Sequence, residues 1–278
     1  MLGKNNFNCL YKYYTLLSKK HILTVFLLKK NIEIIRILRG NHHFVRPIKR
    51  VYHHHLMKTG GTSLNKMFIE LSGTDVTIGY NELMRTRDLR IIKNKFVYTA
   101  WNQLAILSGN WHYSWSHRPI YKMKLPKNTF IITSIRHPYE RVFSRYKHLL
   151  KNKSANLSTT HSATEYKWLG NGFDDYLKNI PDSELCHQLA MYSKNLNVKD
   201  ALKQLERIDF VIDLSSFSED IEKLNDKLNI KLKSIHTRKN SIINIDDLDR
   251  IFEPIKHRIA PELLFYNKIL ELKSFINV

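Results

Sequence analysis

The segment Lys58–Ser63 places a lysine, two adjacent glycines and two hydroxyl residues directly after an apolar stretch. Val51–Met57 predicts a short strand, and apolar residues at helical spacing from Leu64 predict a helix that begins at about Ser63, capped by Thr62 or Ser63. Glycines allow close backbone approach, amides at a helix N-terminus bind anions, and the lysine adds positive charge. We therefore expect a phosphate-binding loop here. The residues predicted to bind the anion are Lys58, Thr59, Gly60, Gly61, Thr62 and Ser63.

A second junction of this kind follows Thr129–Ile135, an apolar and β-branched run that predicts another strand. The run ends at Arg136, and Pro138 suits the first turn of a following helix. Ser144 lies two turns into that helix, so Arg136 and Ser144 are candidates for a second phosphate site. The alternative is that Arg136, Arg141 and Arg145 form a solvated basic helix face.

The remaining pattern alternates strands with helices. Lys95–Trp101 and Asp209–Leu214 predict further strands, Phe173–Asn179 predicts a helix, and Ile251–Ile276 is mostly helical. Such alternation favours an α/β fold with a central parallel sheet covered by helices, in which ligands bind at the carboxyl ends of the strands. Both of the strand-to-helix junctions described above lie at the carboxyl ends of predicted strands.

Two stretches lack regular periodicity. Gly109–Arg118 is aromatic and polar, and predicts a loop or irregular helix near a site. Lys151–His161 is rich in Asn, Ser and Thr, and predicts a long exposed loop.

Two motifs resemble those of a known family. His55–Leu64 looks like the 5′-phosphosulfate loop of carbohydrate-type sulfotransferases, usually H-I-P-K-T-G-G-T-S-L. Thr133–Tyr146 is similar to the 3′-phosphate motif of the same family, commonly R-D-P-x-x-R-x-x-S-x-Y. Met57 stands where the family usually has proline, and His137 stands where it usually has aspartate.

Weaker resemblance continues through Asp209–Ile212 and Pro261–Tyr266, so the likeness covers roughly residues 50 to 276. It implies a three-layer, P-loop-like sulfotransferase fold with a central parallel sheet flanked by helices. The predicted organisation is a basic, helical segment over 1–49 followed by a sulfotransferase domain over 50–278.

The resemblance implies transfer of a sulfuryl group from 3′-phosphoadenosine 5′-phosphosulfate (PAPS) to a carbohydrate hydroxyl, with release of 3′,5′-ADP. Lys58 and the amides of Gly60–Ser63 would hold the 5′-phosphosulfate, and Lys58 would act catalytically on the leaving oxygen. Arg136 and Ser144 would bind the 3′-phosphate. No metal is expected, because His53–His55 alternates direction along a strand and cannot present three ligands together.

The general base, which takes the proton of the acceptor hydroxyl, does not follow from the two phosphate motifs. The family often carries a Gly-His pair between its two phosphate motifs, whereas here Gly109 is followed by Asn110. An imidazole titrates near neutral pH and can accept a hydroxyl proton. His112 is the first choice, His117 the second and Glu82 the third. The aromatic residues beside His112 either stack on sugar faces or pack in the core; they are Trp111, Tyr113 and Trp115.

Charge adds a further expectation. Lys and Arg number 45 against 25 Asp and Glu, a formal charge of +20, which favours an anionic partner. Half of this excess lies in the first 50 residues, where Glu33 is the one acidic residue. The apolar run Ile22–Leu28 is too short to span a bilayer and is followed by no cleavage site, so we expect neither a transmembrane segment nor a signal peptide.

The N-terminal segment is either a surface helix or a basic amphipathic segment on an anionic membrane. The expected location is therefore cytoplasmic or peripheral to a membrane. Only Cys9 and Cys186 are present, too few for a disulfide framework. The apolar side of the amphipathic segment would be formed by Leu27, Leu28, Ile34, Ile35 and Leu38.

Two other functions fit parts of the sequence. A basic nucleic-acid-binding protein matches the charge, but no binding motif supports it, and we expect no nucleic-acid partner. A nucleotide-dependent kinase is the enzymatic alternative, but no G-x-x-x-x-G-K-[ST] loop occurs in the chain.

Overall fold

A computed structural model describes residues 27–40, 43–85, 90–156, 164–233 and 245–277. Within these residues, six strands form one sheet in the order β2-β3-β4-β1-β5-β6. The strands are β1 Arg50–His54, β2 Ile91–Lys93, β3 Phe96–Ala100, β4 Tyr113–Ser116, β5 Thr129–Ile135 and β6 Phe210–Asp213.

All neighbouring strands pair in parallel except β2 and β3, which are antiparallel at one edge. Strand β1 lies in the interior between β4 and β5. The carboxyl ends of these three strands therefore meet at one edge of the sheet, as expected for an α/β fold. The predicted fold class is confirmed.

Helices flank the sheet, and residues 27–40 form the first of them, α1. The others are α2 Gly61–Glu70, α3 Val76–Arg85, α4 Gln103–Ser108, α5 Pro138–Ser154, α6 Phe173–Asn179, α7 Asp182–Leu185, α8 His187–Ala190, α9 Val198–Leu205, α10 Phe217–Leu228, α11 Ile245–Phe252 and α12 Lys256–Ile276.

The core lies on both faces of the sheet because successive strand residues point to opposite sides. Val51 of β1 packs in one cluster, with residues of α2, α3 and α10, whereas Tyr52 packs in the other, with residues of α9 and α12. Helix α2 contributes Leu64, Met67 and Phe68, all fully buried at helical spacing. Burial of each such side chain contributes about 1.5–3 kcal/mol.

Two sequence expectations are wrong. The irregular stretch Gly109–Arg118 contains β4, an interior strand buried on both faces, and such a strand shows no apolar-polar alternation. Helix α5 continues to Ser154, so the loop predicted from Lys151 does not begin there. The end of that predicted loop, residues 157–161, lies outside the described residues.

Helix α1 packs on the domain through one face. Ile34 is fully buried in the core and Leu38 packs against it, whereas Leu28, Ile32 and Ile35 are exposed. The predicted apolar side of the amphipathic segment is therefore divided between the core and solvent. Among the described residues, no helix is both long and apolar enough to cross a membrane.

Candidate active site

The first predicted anion site is the connection between β1 and α2. Lys58 and Gly60 both adopt positive φ, 69° and 85°, which turns the chain sharply from the strand into the helix. Helix α2 begins at Gly61 with Gly60 as its N-cap, so the predicted cap at Thr62 or Ser63 is wrong. No acidic residue lies in the first turn of α2 to oppose an anion at its amides. We call this turn, Lys58–Ser63, the first cradle.

The two glycines are required for different reasons. Gly60 has the left-handed conformation that glycine adopts without strain, and a Cβ there would meet the Leu214 side chain at 2.7 Å. A Cβ on Gly61 would lie 2.2 Å from the His55 ring and 2.7 Å from the His53 ring. A larger residue at either position would force the turn or these neighbouring side chains to shift.

The floor of the first cradle is fixed by buried hydroxyls. The Thr59 hydroxyl donates to the Leu56 carbonyl oxygen at 2.9 Å and lies 2.9 Å from the Ser134 hydroxyl of β5. Thr59 is fully buried, so its side chain is structural. Of the predicted loop residues, Lys58 is half-buried and Thr62 exposed.

The second predicted anion site follows β5. Arg136 leaves the strand end, and its Nε donates to Oε2 of Glu140 at 2.9 Å on the first turn of α5. Ser144 lies one turn after Glu140, on the same side of α5. We call Arg136 and Ser144 the second cradle.

The neighbouring arginines are structural. Arg141 is 1% exposed and donates to the Glu184 and Leu185 carbonyl oxygens, at 2.8 and 2.5 Å. Arg145 is buried in an ion pair with Glu165. The alternative of a solvated basic helix face is therefore wrong for both.

The two cradles are adjacent. Strands β1 and β5 pair in register from Arg50 with Thr129 to His54 with Thr133, so both chains leave the sheet at the same edge. The Thr59–Ser134 contact joins the first cradle directly to β5. Both cradles therefore lie at the same edge of the sheet, on neighbouring strands.

Comparison with protein families decides the classification. A family model described as Sulfotransferase family matches residues 41–269, most of the chain, including both cradles. The chain belongs to this family. No curated protein sequence is significantly similar to it.

This sulfotransferase has a cluster of buried polar groups behind the first cradle. His53 Nδ1 donates to Oδ1 of Asn65 at 2.7 Å, and the Tyr113 hydroxyl donates to the same oxygen at 2.7 Å. Asn65 Nδ2 lies 3.3 Å from His55 Nδ1. Burial lowers the pKa of His53 to about 3 and that of His55 well below 6.5, so both rings are neutral near neutral pH.

His117 is the histidine that the sulfotransferase presents at the site edge. It directly follows β4, and its ring lies 4.3 Å from that of His55, tilted by 37°. His55 leads into the first cradle. His117 Nδ1 donates to the His55 carbonyl oxygen at 2.8 Å, which leaves Nε2 as the unprotonated nitrogen. Desolvation lowers the pKa of His117 below 6.5, and the charge of Arg145 lowers it further.

His112, the first choice for the base, lies elsewhere. Its amide donates to the Val97 carbonyl oxygen at the amino end of β4, and its Nδ1 accepts from the Val97 amide. The four residues of β4, about 3.3 Å each, separate it from the strand end where His117 lies. His112 is 2% exposed and stacks on Phe96. The structure therefore does not bring His112 to the cradles, because the predicted loop is a strand.

Other sequence candidates are placed outside the site. Glu82 on α3 forms an ion pair with Lys93 at 3.1 Å. Trp111, Tyr113 and Trp115 are fully buried, so they are core residues and present no face to a sugar.

The His53–His55 run divides between the two faces of the sheet. His53 and His55 stack on each other at 4.9 Å, whereas His54 packs edge-on against Tyr192. Within the described part of the chain, no group of three or more His, Cys, Asp or Glu side chains is arranged to hold a metal ion.

Proposed function

We propose that this sulfotransferase transfers a sulfuryl group from PAPS to a hydroxyl of a carbohydrate. One observation carries the proposal: two anion cradles leave neighbouring parallel strands at the same edge of the sheet. A donor with phosphates at both its 5′ and 3′ positions matches two cradles. ATP with magnesium requires one cradle and a metal.

The donor set fits the two anionic ends. Lys58 and the α2 amides of the first cradle supply one positive side chain and the N-terminus of a ten-residue helix for the 5′-phosphosulfate. Arg136 supplies a guanidinium for the 3′-phosphate, and Ser144, about two turns further along the chain, supplies a hydroxyl. The Arg136 guanidinium already pairs with Glu140 through Nε, so it must bind Glu140 and the 3′-phosphate at the same time.

In the reaction, the acceptor hydroxyl attacks sulfur in line with the leaving phosphate. Lys58 and the first-cradle amides stabilise the negative charge that develops on that phosphate. His117 replaces His112 as the proposed base. Its Nδ1 donates to the His55 carbonyl oxygen, so Nε2 is unprotonated and can accept a proton beside the first cradle. It takes the proton of the acceptor hydroxyl.

The carbohydrate acceptor rests on the likeness of His55–Leu64 to the loop of carbohydrate-type sulfotransferases. The aromatic residues that suggested sugar stacking are buried and no longer support it. A basic surface favours an acidic glycan over a neutral one, since the chain carries a formal charge of +20.

Affinity chromatography tests the donor. The protein should bind immobilised 3′,5′-ADP without metal and be released by free 3′,5′-ADP. Equal or stronger retention on immobilised ATP with magnesium would favour a kinase, and retention on nucleic acid alone would favour a nucleic-acid-binding protein. Release of 3′,5′-ADP from PAPS, measured with acidic and neutral glycans, then tests the acceptor.

A further inference from the structure

Arg136 is held by its backbone from a distant part of the chain. Its amide donates to Oε1 of Gln188 at 3.0 Å, and its carbonyl oxygen accepts from Nε2 of Gln188 at 2.9 Å. One carboxamide thus satisfies both main-chain groups of a residue that has just left β5. Buried main-chain groups require such partners, so Gln188 replaces a neighbouring strand at this point.

Gln188 is itself fixed by a buried carboxylate. Its side-chain Nε2 donates to Oε1 of Glu262 at 3.2 Å, and its backbone amide donates to the same oxygen at 3.1 Å. The Leu189 amide donates to the other oxygen of Glu262 at 2.8 Å. Gln188 is 2% exposed and Glu262 fully buried, so solvent does not compete for these bonds.

The buried carboxylate also pairs with an arginine of α5. Arg141 Nε lies 3.5 Å from Oε1 of Glu262. Helix α5 carries Ser144, the other residue of the second cradle. We call the pair of hydrogen bonds from Gln188 to the Arg136 backbone the clamp. Glu262 on α12 therefore contacts both Gln188, which makes the clamp, and the helix that carries Ser144.

The same short helix, α8, also contacts the chain that enters the first cradle. The Met57 amide, directly before Lys58, donates to Nε2 of His187 at 3.4 Å. Proline, which the family usually has at this position, could not make this bond because it lacks an amide hydrogen. His187 and Gln188 are adjacent in sequence, so α8 contacts Arg136 of the second cradle and the residue that directly precedes the first cradle.

We infer that Gln188, held by Glu262, is a positioning residue that fixes Arg136 for the 3′-phosphate and thereby sets selectivity for a 3′-phosphorylated nucleotide. The inference rests on the proposed function. It predicts a specific defect: loss of the clamp frees the Arg136 backbone and weakens recognition of the 3′-phosphate. Recognition of the 5′ end, which depends on the first cradle, stays unchanged.

The test is the ratio of the dissociation constants of 5′-AMP and 3′,5′-ADP. Gln188→Met keeps the side-chain volume and removes both hydrogen bonds to Arg136. The ratio should fall about tenfold, in line with the loss of bonds that orient a charged group. The affinity for 5′-AMP should match that of the wild-type protein. Gln204→Met is the matched control, since Gln204 lies on α9 and bonds to Arg207.

Three outcomes are decisive. A wild-type ratio near one overturns the proposed donor site, and the inference with it. A clear wild-type preference that persists in folded Gln188→Met overturns the inference alone. If Gln188→Met does not fold, Gln188→Asn replaces it, because the shorter side chain cannot make both bonds. A folded Gln188→Asn variant with the wild-type ratio overturns the inference as well.

Discussion

The two cradles are built in opposite ways. The first is one continuous segment, in which six consecutive residues supply the lysine, the turn and the helix amides. The second depends on contacts between distant segments: the clamp joins Arg136 to Gln188, 52 residues away, and Gln188 to Glu262, 74 residues further on. The turn of the first cradle is therefore encoded locally, while the orientation of a single arginine depends on the packing of α5, α8 and α12.

The largest expected effect is on the free energy of unfolding, through the buried groups that support the second cradle. Glu262→Ala removes the partner of Arg141 and the acceptor of three hydrogen bonds at a fully buried position. Leaving the arginine charge buried should lower the free energy of unfolding by about 3–5 kcal/mol. Urea denaturation measures this change. The exposed pair Lys268–Glu271 supplies the control, and Glu271→Ala should leave the midpoint nearly unchanged. Similar midpoints for the two variants would contradict the buried support.

The second prediction concerns the first cradle and activity. Lys58→Ala should lower kcat by about 10²- to 10³-fold, because it removes a charge that stabilises the leaving phosphate. The unfolding midpoint should hardly change, since Lys58 is half-buried in a turn. Lys66→Ala is the matched control on α2, the helix that follows the turn, where Lys66 lies over the Tyr80 ring. Equal activity of the two variants would exclude Lys58 from the reaction.

The third prediction separates the two candidate bases. His117→Ala should lower kcat about 100-fold, at the low end of general-base effects. In the wild-type protein, kcat/KM should fall as the pH drops through the lowered pKa of His117, below 6.5. This acid limb should disappear in the variant. His112→Ala should reduce stability rather than kcat, since His112 packs in the core, and a pH profile shifted by His112→Ala instead would reverse the assignment.

The fourth prediction concerns pH and the strand beneath the first cradle. Burial lowers the pKa of His53 and His54 to about 3 in the folded protein. The unfolded chain takes up protons below pH 6.5 that the folded chain excludes, so stability present at pH 7 is lost as the pH falls towards 3. Each histidine should contribute about 2 kcal/mol of loss between pH 7 and pH 5. His54→Gln should therefore lose less stability over this interval than the wild type in urea denaturation; equal losses would mean that His54 is protonated in the folded state.

The sequence predicted the parts of the site that depend on local chemistry. Strand β5, Thr129–Ile135, and the helix from Pro138 have the predicted bounds, because an apolar β-branched run and a proline at the first turn determine them. The first cradle was predicted from its glycines and lysine for the same reason. The start of α2 shifted by two residues, since Gly60 rather than a hydroxyl residue is the N-cap.

Features that depend on tertiary contacts were missed. Strand β4 has serines between its aromatic residues, yet it is buried on both faces, so its pattern resembled a loop and placed His112 at the wrong end. Glu262 lies in the segment Pro261–Tyr266 that resembles the family, but nothing local indicates its bonds to Gln188.

The boundary between segments 1–49 and 50–278 stays a prediction. The described part of the first segment packs on the core through Ile34 and Phe44.

The central claim is that two cradles bind one nucleotide with phosphates at both ends, and calorimetric titration tests it most directly. We would titrate 3′,5′-ADP without metal into the wild type, Lys58→Ala and Arg136→Ala. The wild type should bind at one site, and each variant should bind about 10- to 100-fold more weakly, as expected for loss of a charged hydrogen-bonding group. Only Arg136→Ala should leave the affinity for 5′-AMP unchanged. A folded wild-type protein that does not bind 3′,5′-ADP would contradict the account.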